Sequence, residues 1–327
     1  MAFVHLEINM PEKQSFSRRD AMKFGAITAG TAAITAGQSV SAAAASDKRP
    51  FGYCFNTSTI RGQALPLDEQ IDVVIEAGYN GIEPWIRDIK AFQDNGGSLK
   101  DQAKKLADNN IKVASAIGFA KWIVDDDDER AAGLETAKHD MGLVRELGGD
   151  HIAAPPVGAT DIEDFNLFNA AERYHALLEV GRNEGVTPQV ELWGFSKTLS
   201  RLGELAFVAA ECNHPDACVL PDVYHIYKGG SGFAGLKMLN GKQIKCLHVN
   251  DYPDDPPRAT ISDADRVHVG DGVAPVVEIL QMIYDAGSRA MLSLELFNRD
   301  YWKQDPLEVA KTGLSKVKAA VAQVKRR

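Results

Sequence analysis

From residue 51 to the C-terminus, short apolar or β-branched runs alternate with longer stretches of helical pattern, eight times over. The strand candidates are 51–58, 81–85, 112–117, 151–154, 189–193, 217–221, 244–250 and 290–297. Helical patterns cover 67–77, 98–109, 129–147, 165–183, 199–212, 235–239, 275–286 and 306–324. Gly78, Gly148, Gly185 and Gly287 stand where C-terminal helix caps are expected. Strands separated by helices run parallel, because a parallel pair needs a crossover connection. Eight such units in a chain of this length is the count of a closed barrel. The alternative is an open doubly wound sheet, but no Gly-rich phosphate loop follows the first strand. The fold class expected is α/β: a single (β/α)₈ TIM barrel over residues 46–327, behind a cleaved N-terminal leader.

Residues 1–45 read as an address. Ser17-Arg18-Arg19-Asp20 carries a twin arginine, a mildly apolar run from Phe24 to Gly37 follows, and Ala42-Ala43-Ala44-Ala45 suits a small-residue cleavage site. An amphipathic first helix is the plainer alternative, but Gly25, Gly30 and Gly37 make a poor one. A twin-arginine signal peptide implies the twin-arginine export machinery as a partner and a periplasmic or otherwise exported barrel.

Charge and cysteine content exclude several function classes. The formal net charge is −9, and the only dense basic block is Lys325-Arg326-Arg327, so the footprint of a nucleic-acid binder is missing. No apolar stretch is long enough to suggest a membrane span. Four cysteines, Cys54, Cys212, Cys218 and Cys246, are too few for a disulfide scaffold. Cys212 and Cys218 could bridge; buried free thiols are the preferred reading. The acidic run 125–129 suits a helix N-terminus. The long Pro- and Asp-rich connection 252–274 has the length of a functional loop.

A barrel's chemistry sits at the C-terminal ends of its strands. There the fifth to eighth strands offer Glu191, Asp222, His248 and Glu295 in turn. Singly, each could be a salt-bridged carboxylate or a core histidine. Together they imply a metal, because three carboxylates converging on one mouth repel one another unless a cation neutralises them. Oxygen ligands with one imidazole suit one divalent ion, Mn²⁺, Mg²⁺, Co²⁺ or Zn²⁺.

The stretches Asp222-Val223-Tyr224-His225, His248-Val249-Asn250-Asp251, Asp263-Ala264-Asp265-Arg266-Val267 with Gly270-Asp271-Gly272, and Ser293-Leu294-Glu295-Leu296-Phe297 carry a family resemblance. On these the chain resembles the xylose-isomerase-like barrel superfamily of sugar isomerases and epimerases, and within it the inosose (2-keto-myo-inositol) isomerases. The resemblance implies Glu191, Asp222, His248 and Glu295 as metal ligands, with Glu191 and Glu295 doubling as the acid/base pair. It further implies that His225 and an arginine of the loop after the seventh strand, Arg258 or alternatively Arg266, contact substrate oxygens. Glu83, at the end of the second strand, either meets substrate or orients a neighbour. His268-Val269 and Trp193-Gly194-Phe195 depart from the inosose isomerases at positions expected to line the pocket. Barrels of this group often pair, so a homodimer is an expectation too.

The activity implied is isomerisation or epimerisation of a ketose, inosose or keto-sugar, by moving a proton next to its carbonyl through an enediolate. A dehydratase or lyase on a keto-sugar or keto-glycoside begins with the same step. A periplasmic sugar-binding protein is the non-catalytic rival. A metal-dependent endonuclease would need more ligands and a basic groove than eight histidines and this acidic chain provide.

Overall fold

The first β/α unit shows why these segments fold as they do. Strand β1 (Gly52–Asn56) is buried on both faces, as a parallel strand must be between a filled interior and a covering helix. Helix α1 (Leu67–Ala77) turns Leu67, Gln70, Ile71 and Val74 onto one buried stripe, and Gly78 ends it at φ +86. The computed structural model describes residues 50–326, so the leader expected over 1–45 lies outside the described residues.

The plan continues through β2 (Gly81–Glu83), α2 (Ile86–Asp94), α3 (Leu99–Asp108), β3 (Lys112–Val113), α4 (Asp127–Glu146), β4 (His151–Ala154) and α5 (Leu167–Glu184). It is completed by β5 (Thr187–Glu191), α6 (Leu202–Glu211), β6 (Val219–Leu220), α7 (Val223–Lys228), β7 (Cys246–Val249), α8 (Val276–Asp285), β8 (Met291–Leu294) and α9 (Pro306–Val321). β1 pairs in parallel with both β2 and β8, giving the order β3-β2-β1-β8-β7, and β4-β5-β6 form a second run. Backbone contacts join the two runs at both ends. Ala153 N–H donates to the Ala116 carbonyl at 2.8 Å, and parallel bridges tie Val219 to Ile244 and Asp222 to His248. The ring therefore closes as the (β/α)₈ barrel.

Several details differ from the sequence reading. Helix α2 was not anticipated, because it is short and polar on average, burying only Ile86 and Ile89. Helix α7 begins directly after β6, where Val-Tyr-His-Ile-Tyr looks strand-like. The Asp222 side chain starts it by accepting from His225 N–H at 2.8 Å. The helix expected at 235–239 is a 3₁₀ turn, Phe233–Met238. β5 starts at Thr187 and so includes Pro188. A strand proline lacks a donor, and the Tyr174 hydroxyl lies 2.9 Å from the Pro188 carbonyl and 2.8 Å from the Cys218 carbonyl, linking β5 to β6 from outside the ladder. The acidic run opens α4 as expected, with Asp126 capping Glu129 N–H.

All four cysteines are buried and free, so Cys212 and Cys218 are not bridged. No helix among the described residues is long and apolar enough to cross a membrane.

The long connection after β7 is held by one side chain. Asp251 is buried, and its carboxylate accepts from Tyr252 N–H (2.8 Å), Gly270 N–H (2.9 Å) and Ala274 N–H (2.8 Å). An antiparallel bridge pairs Asp251 with Val267. The loop thus leaves the barrel and is drawn back at Arg266.

Candidate active site

Four barrel strands bring their C-terminal side chains to one point. The Nδ1 atom of His248 lies 3.2 Å from Glu295 Oε2, 3.5 Å from Asp222 Oδ2 and 3.6 Å from Glu191 Oε1. Ligand-type atoms of Asp222, His248 and Glu295 lie within 4.8 Å of one another, and all three residues are buried. On the other edge of the ring, Nε2 lies 3.0 Å from Glu83 Oε2. Neither ring nitrogen has a well-aligned hydrogen-bond partner, so His248 faces carboxylates on both sides without the directional bonds that a buried imidazole normally finds.

Each carboxylate is aimed by a neighbour. Glu83 is fully buried; Asn56 Nδ2 donates to it at 3.0 Å and the Ser293 hydroxyl at 2.6 Å. The same Asn56 amide donates to Glu295 Oε1 at 3.1 Å, and Trp85 Nε1 holds the Asn56 oxygen at 3.0 Å. Asp222 spends Oδ1 on capping α7, which leaves Oδ2 for His248 and for Arg266 Nη1, at 3.0 Å. Arg266 Nη1 also donates to Glu295 Oε2 at 2.8 Å, while Nη2 pairs with Asp263 and lies 3.0 Å from His225 Nε2.

These contacts set the charge states. Burial and the neighbouring Glu295, Asp222 and Glu83 push Glu191 well above the usual carboxylate range, against the opposing pull of His248. Burial opposes ionisation of Asp222 too, but Arg266, His225 and His248 outweigh it and hold the group well below its ordinary value. Burial would depress His248; Glu295 and Glu83 reverse this and hold it well above the usual imidazole range. His225, desolvated and beside Arg266, is pushed down to about 4 and is neutral at physiological pH.

A cavity of about 270 Å³ opens over this cluster. Glu191, Glu295, His225, Asp263 and Arg266 line its charged part, and Trp85, Phe119, Trp193, Phe195 and Phe297 its aromatic part, with Arg61 at the rim. A larger surface groove of about 730 Å³ lies beside α1 and α2; it shares Arg61 but contains none of the residues gathered around His248.

Three of the candidate substrate-contacting residues lie away from the cavity. Glu83 does not line the cavity: it lies buried against His248, in a position to orient that ring. Arg258 is exposed, on the outward part of the loop where its carbonyl accepts from Lys228, whereas the Asp251 anchor draws Arg266 into the site. His268 is buried away from the cavity and stacks on Tyr301 with ring centroids 4.4 Å apart. Trp193, His225 and Arg266 do line it.

Residues 71–320 match the family model described as "Xylose isomerase-like TIM barrel". The chain belongs to this family. Among relatives of this xylose isomerase-like barrel is an inosose isomerase of Bacillus velezensis, 24% identical over 273 residues that make up 83% of this chain and 97% of the relative. A 3-dehydroshikimate dehydratase of Pseudomonas putida is 22% identical over 76% of this chain and 39% of its own length. A solved structure of an IolI protein with a zinc atom superposes with a TM-score of 0.76 at 21% identity, covering 85% of this chain and all of that one.

The sequence reading of this xylose isomerase-like barrel missed Asn56, Ser293, Asn250 and Asp263 as site residues. Asn250 Nδ2 stands 3.4 Å from both Asp222 oxygens while its own oxygen accepts from Tyr224 N–H at 2.9 Å. Asn250, Asp263 and Ser293 each lie in one of the family-like stretches, which was the available signal.

His268 supplies a pH prediction. Burial lowers its pKa from 6.5 to about 4, and its Nδ1 has no partner. A depressed histidine binds protons more readily in the unfolded chain, so stability falls as pH drops from about 6.5 toward 4. Replacing it by His268→Phe, which keeps the stack on Tyr301, is expected to remove up to about 3 kcal/mol of that acid loss. Urea melts at pH 7 and pH 4.5 would measure it; equal pH slopes in wild type and variant would contradict this assignment.

Proposed function

We propose that this barrel is a divalent-metal-dependent sugar isomerase or epimerase, acting on the carbon next to the carbonyl of a ketose, inosose or keto-sugar. The observation that carries the reading is the convergence of three carboxylates on His248 Nδ1 at the base of a small cavity. Separations of 3.2–3.6 Å fit neighbouring ligands of an ion bonded at about 2.0–2.2 Å, and the donor set suits Mn²⁺, Mg²⁺, Co²⁺ or Zn²⁺. Glu191, Asp222, His248 and Glu295 would hold one ion, which when bound supplies Lewis-acid polarisation of a carbonyl and its neighbouring hydroxyl.

The side chains divide the remaining work. Glu295, steadied by Asn56 and Arg266, takes the proton from the carbon beside the carbonyl and leaves an enediolate. Glu191, the other acidic side chain lining the cavity, returns a proton from its carboxyl. Delivery to the other carbon completes an isomerisation; delivery to the opposite face of the same carbon completes an epimerisation. Arg266 and neutral His225 border the cavity where negative charge builds on oxygen and can hold it there. A dehydratase or lyase reading shares the first proton removal, with the Glu191 proton going to a departing oxygen, and the 3-dehydroshikimate dehydratase among the relatives supports keeping it.

We further read residues 1–45 as a twin-arginine leader, so that the folded barrel works in the periplasm. Glu83→Gln is expected to weaken metal binding about 10–100-fold by releasing the His248 ring, measured by competition with a chromophoric chelator. Unchanged affinity would show that Glu83 does not orient it.

The reading is tested by proton NMR in D₂O, mixing metal-loaded protein with inososes, ketohexoses and 3-keto-glycosides. Chelator-sensitive deuterium uptake beside a carbonyl is the expected result. Binding without exchange across the whole panel would replace the enzyme by a sugar-binding protein.

A further inference from the structure

The cavity changes character from floor to mouth. Around His248 it is ionic. Outward it becomes a chain of aromatic rings: Trp85 and Phe119 have centroids 5.2 Å apart, Phe119 and Trp193 6.2 Å, and Trp193 and Phe195 5.3 Å. Phe297 closes the other side, 6.0 Å from Trp85. Phe119 is 42% exposed and Phe195 50%. Only one other phenylalanine among the described residues, Phe168, is classed as exposed, so the exposed rings concentrate at this mouth. An apolar patch rimmed by polar groups and joined to a catalytic cavity marks a ligand contact.

The arrangement is built into the backbone. A Cβ on Gly194 would lie 2.3 Å from the His225 carbonyl oxygen and 2.6 Å from the Gly229 nitrogen, so glycine is what lets the loop after β5 pass against α7. That close passage leaves Trp193 and Phe195 stacked at 27° and sets Phe195 over His225, with centroids 5.9 Å apart. One cavity of about 270 Å³ spans both the charged floor and the aromatic mouth, with Phe119 and Phe195 partly exposed where it opens, so a group attached to a sugar ring at the floor would lie against them.

We propose that the aromatic mouth is a subsite for a second ring, and that the preferred substrate is a keto-glycoside. The keto-sugar ring occupies the charged floor, and the glycosidically attached ring, a pyranose or an aryl group, lies with its apolar face between Phe119 and Phe195. Aromatic rings stack on flat apolar faces of either kind. The proposal rests on the proton-transfer reading for the floor and on the aromatic geometry alone for the mouth.

The test compares methyl 3-keto-glucoside with its phenyl and glucosyl counterparts in the deuterium-exchange assay, using wild type, Phe195→Ala and Phe119→Ala. Both two-ring compounds are expected to exceed the methyl compound at least tenfold in kcat/KM, and each alanine variant to erase most of that advantage. An advantage for the phenyl compound alone would assign the subsite to aryl aglycones; for the glucosyl compound alone, to disaccharides. Equal kcat/KM for one-ring and two-ring compounds in wild type would overturn the proposal. If no compound exchanges, the proton-transfer reading fails, and calorimetry with unoxidised phenyl and methyl glucosides still decides the subsite. A tighter phenyl glucoside, with the preference lost in Phe195→Ala, supports it; equal or absent binding of the two overturns it. Thermal melts check that both variants are folded, and agreement between two separate positions guards against a local packing artefact.

Discussion

Glu295→Gln is expected to lower the rate of deuterium exchange by about 10³-fold or more, while the protein stays folded and keeps a metal. The magnitude follows from removing a proton acceptor that contributes about 10²–10⁴-fold. Gln keeps an oxygen at the ligand position and an amide of similar shape, so metal affinity and the fit of the cavity should change far less than turnover. The expected signature is a fall in kcat with little change in KM. Glu295 is suited to the role because Asn56 Nδ2 and Arg266 Nη1 hold its two oxygens at 3.1 and 2.8 Å, at the edge of the cavity. Near-normal exchange in the variant would move the base to another residue, and Glu191→Gln would then be the next variant to measure.

Stripping the metal with a chelator is expected to stop exchange completely and to lower the Tm by roughly 5 °C. Glu83, Glu191, Asp222 and Glu295 are at most 4% exposed, and among them only Arg266 brings a permanent positive charge. An ion bound only by the folded state at about a hundred times its Kd contributes about 2.7 kcal/mol, which gives a melting shift of this size in a domain of this length. Differential scanning fluorimetry with and without chelator, followed by add-back of Mn²⁺, Co²⁺ or Zn²⁺, measures it. An unchanged Tm after confirmed removal of bound metal would contradict a structural contribution from the site.

The residues gathered around His248 were legible because the barrel rule reduces the search to a few positions at each strand end, and Glu191, Asp222, His248 and Glu295 occupy them on four consecutive strands. Of their supports, only Glu83 was legible. Asn56, Glu83 and Ser293 meet only because β1, β2 and β8 are neighbours in the closed ring, and a single sequence does not reveal which strand-end polar groups touch. The choice between Arg258 and Arg266 depends on the course of the 252–274 loop, which the three backbone bonds to the buried Asp251 carboxylate determine. His268 sits one residue beyond Val267, the last loop position bridged to Asp251, and turns toward Tyr301 instead of the cavity. Helix α7 was hidden because local propensity favours strand in Val223-Tyr224-His225-Ile226-Tyr227, and the Asp222 cap together with burial overrides it. The aromatic mouth was legible only at Trp193-Gly194-Phe195: Trp85, Phe119 and Phe297 come from three other strand ends, and each alone reads as an ordinary apolar residue.

The account turns on one ion held by Glu191, Asp222, His248 and Glu295, and calorimetric titration of metal into chelator-treated protein tests that most directly. Wild type should bind one equivalent of Mn²⁺ or Zn²⁺ per chain, and Asp222→Ala and His248→Ala should each abolish that binding while their melts stay cooperative. Binding of one equivalent that survives in both variants, or no binding in folded wild type, would contradict it.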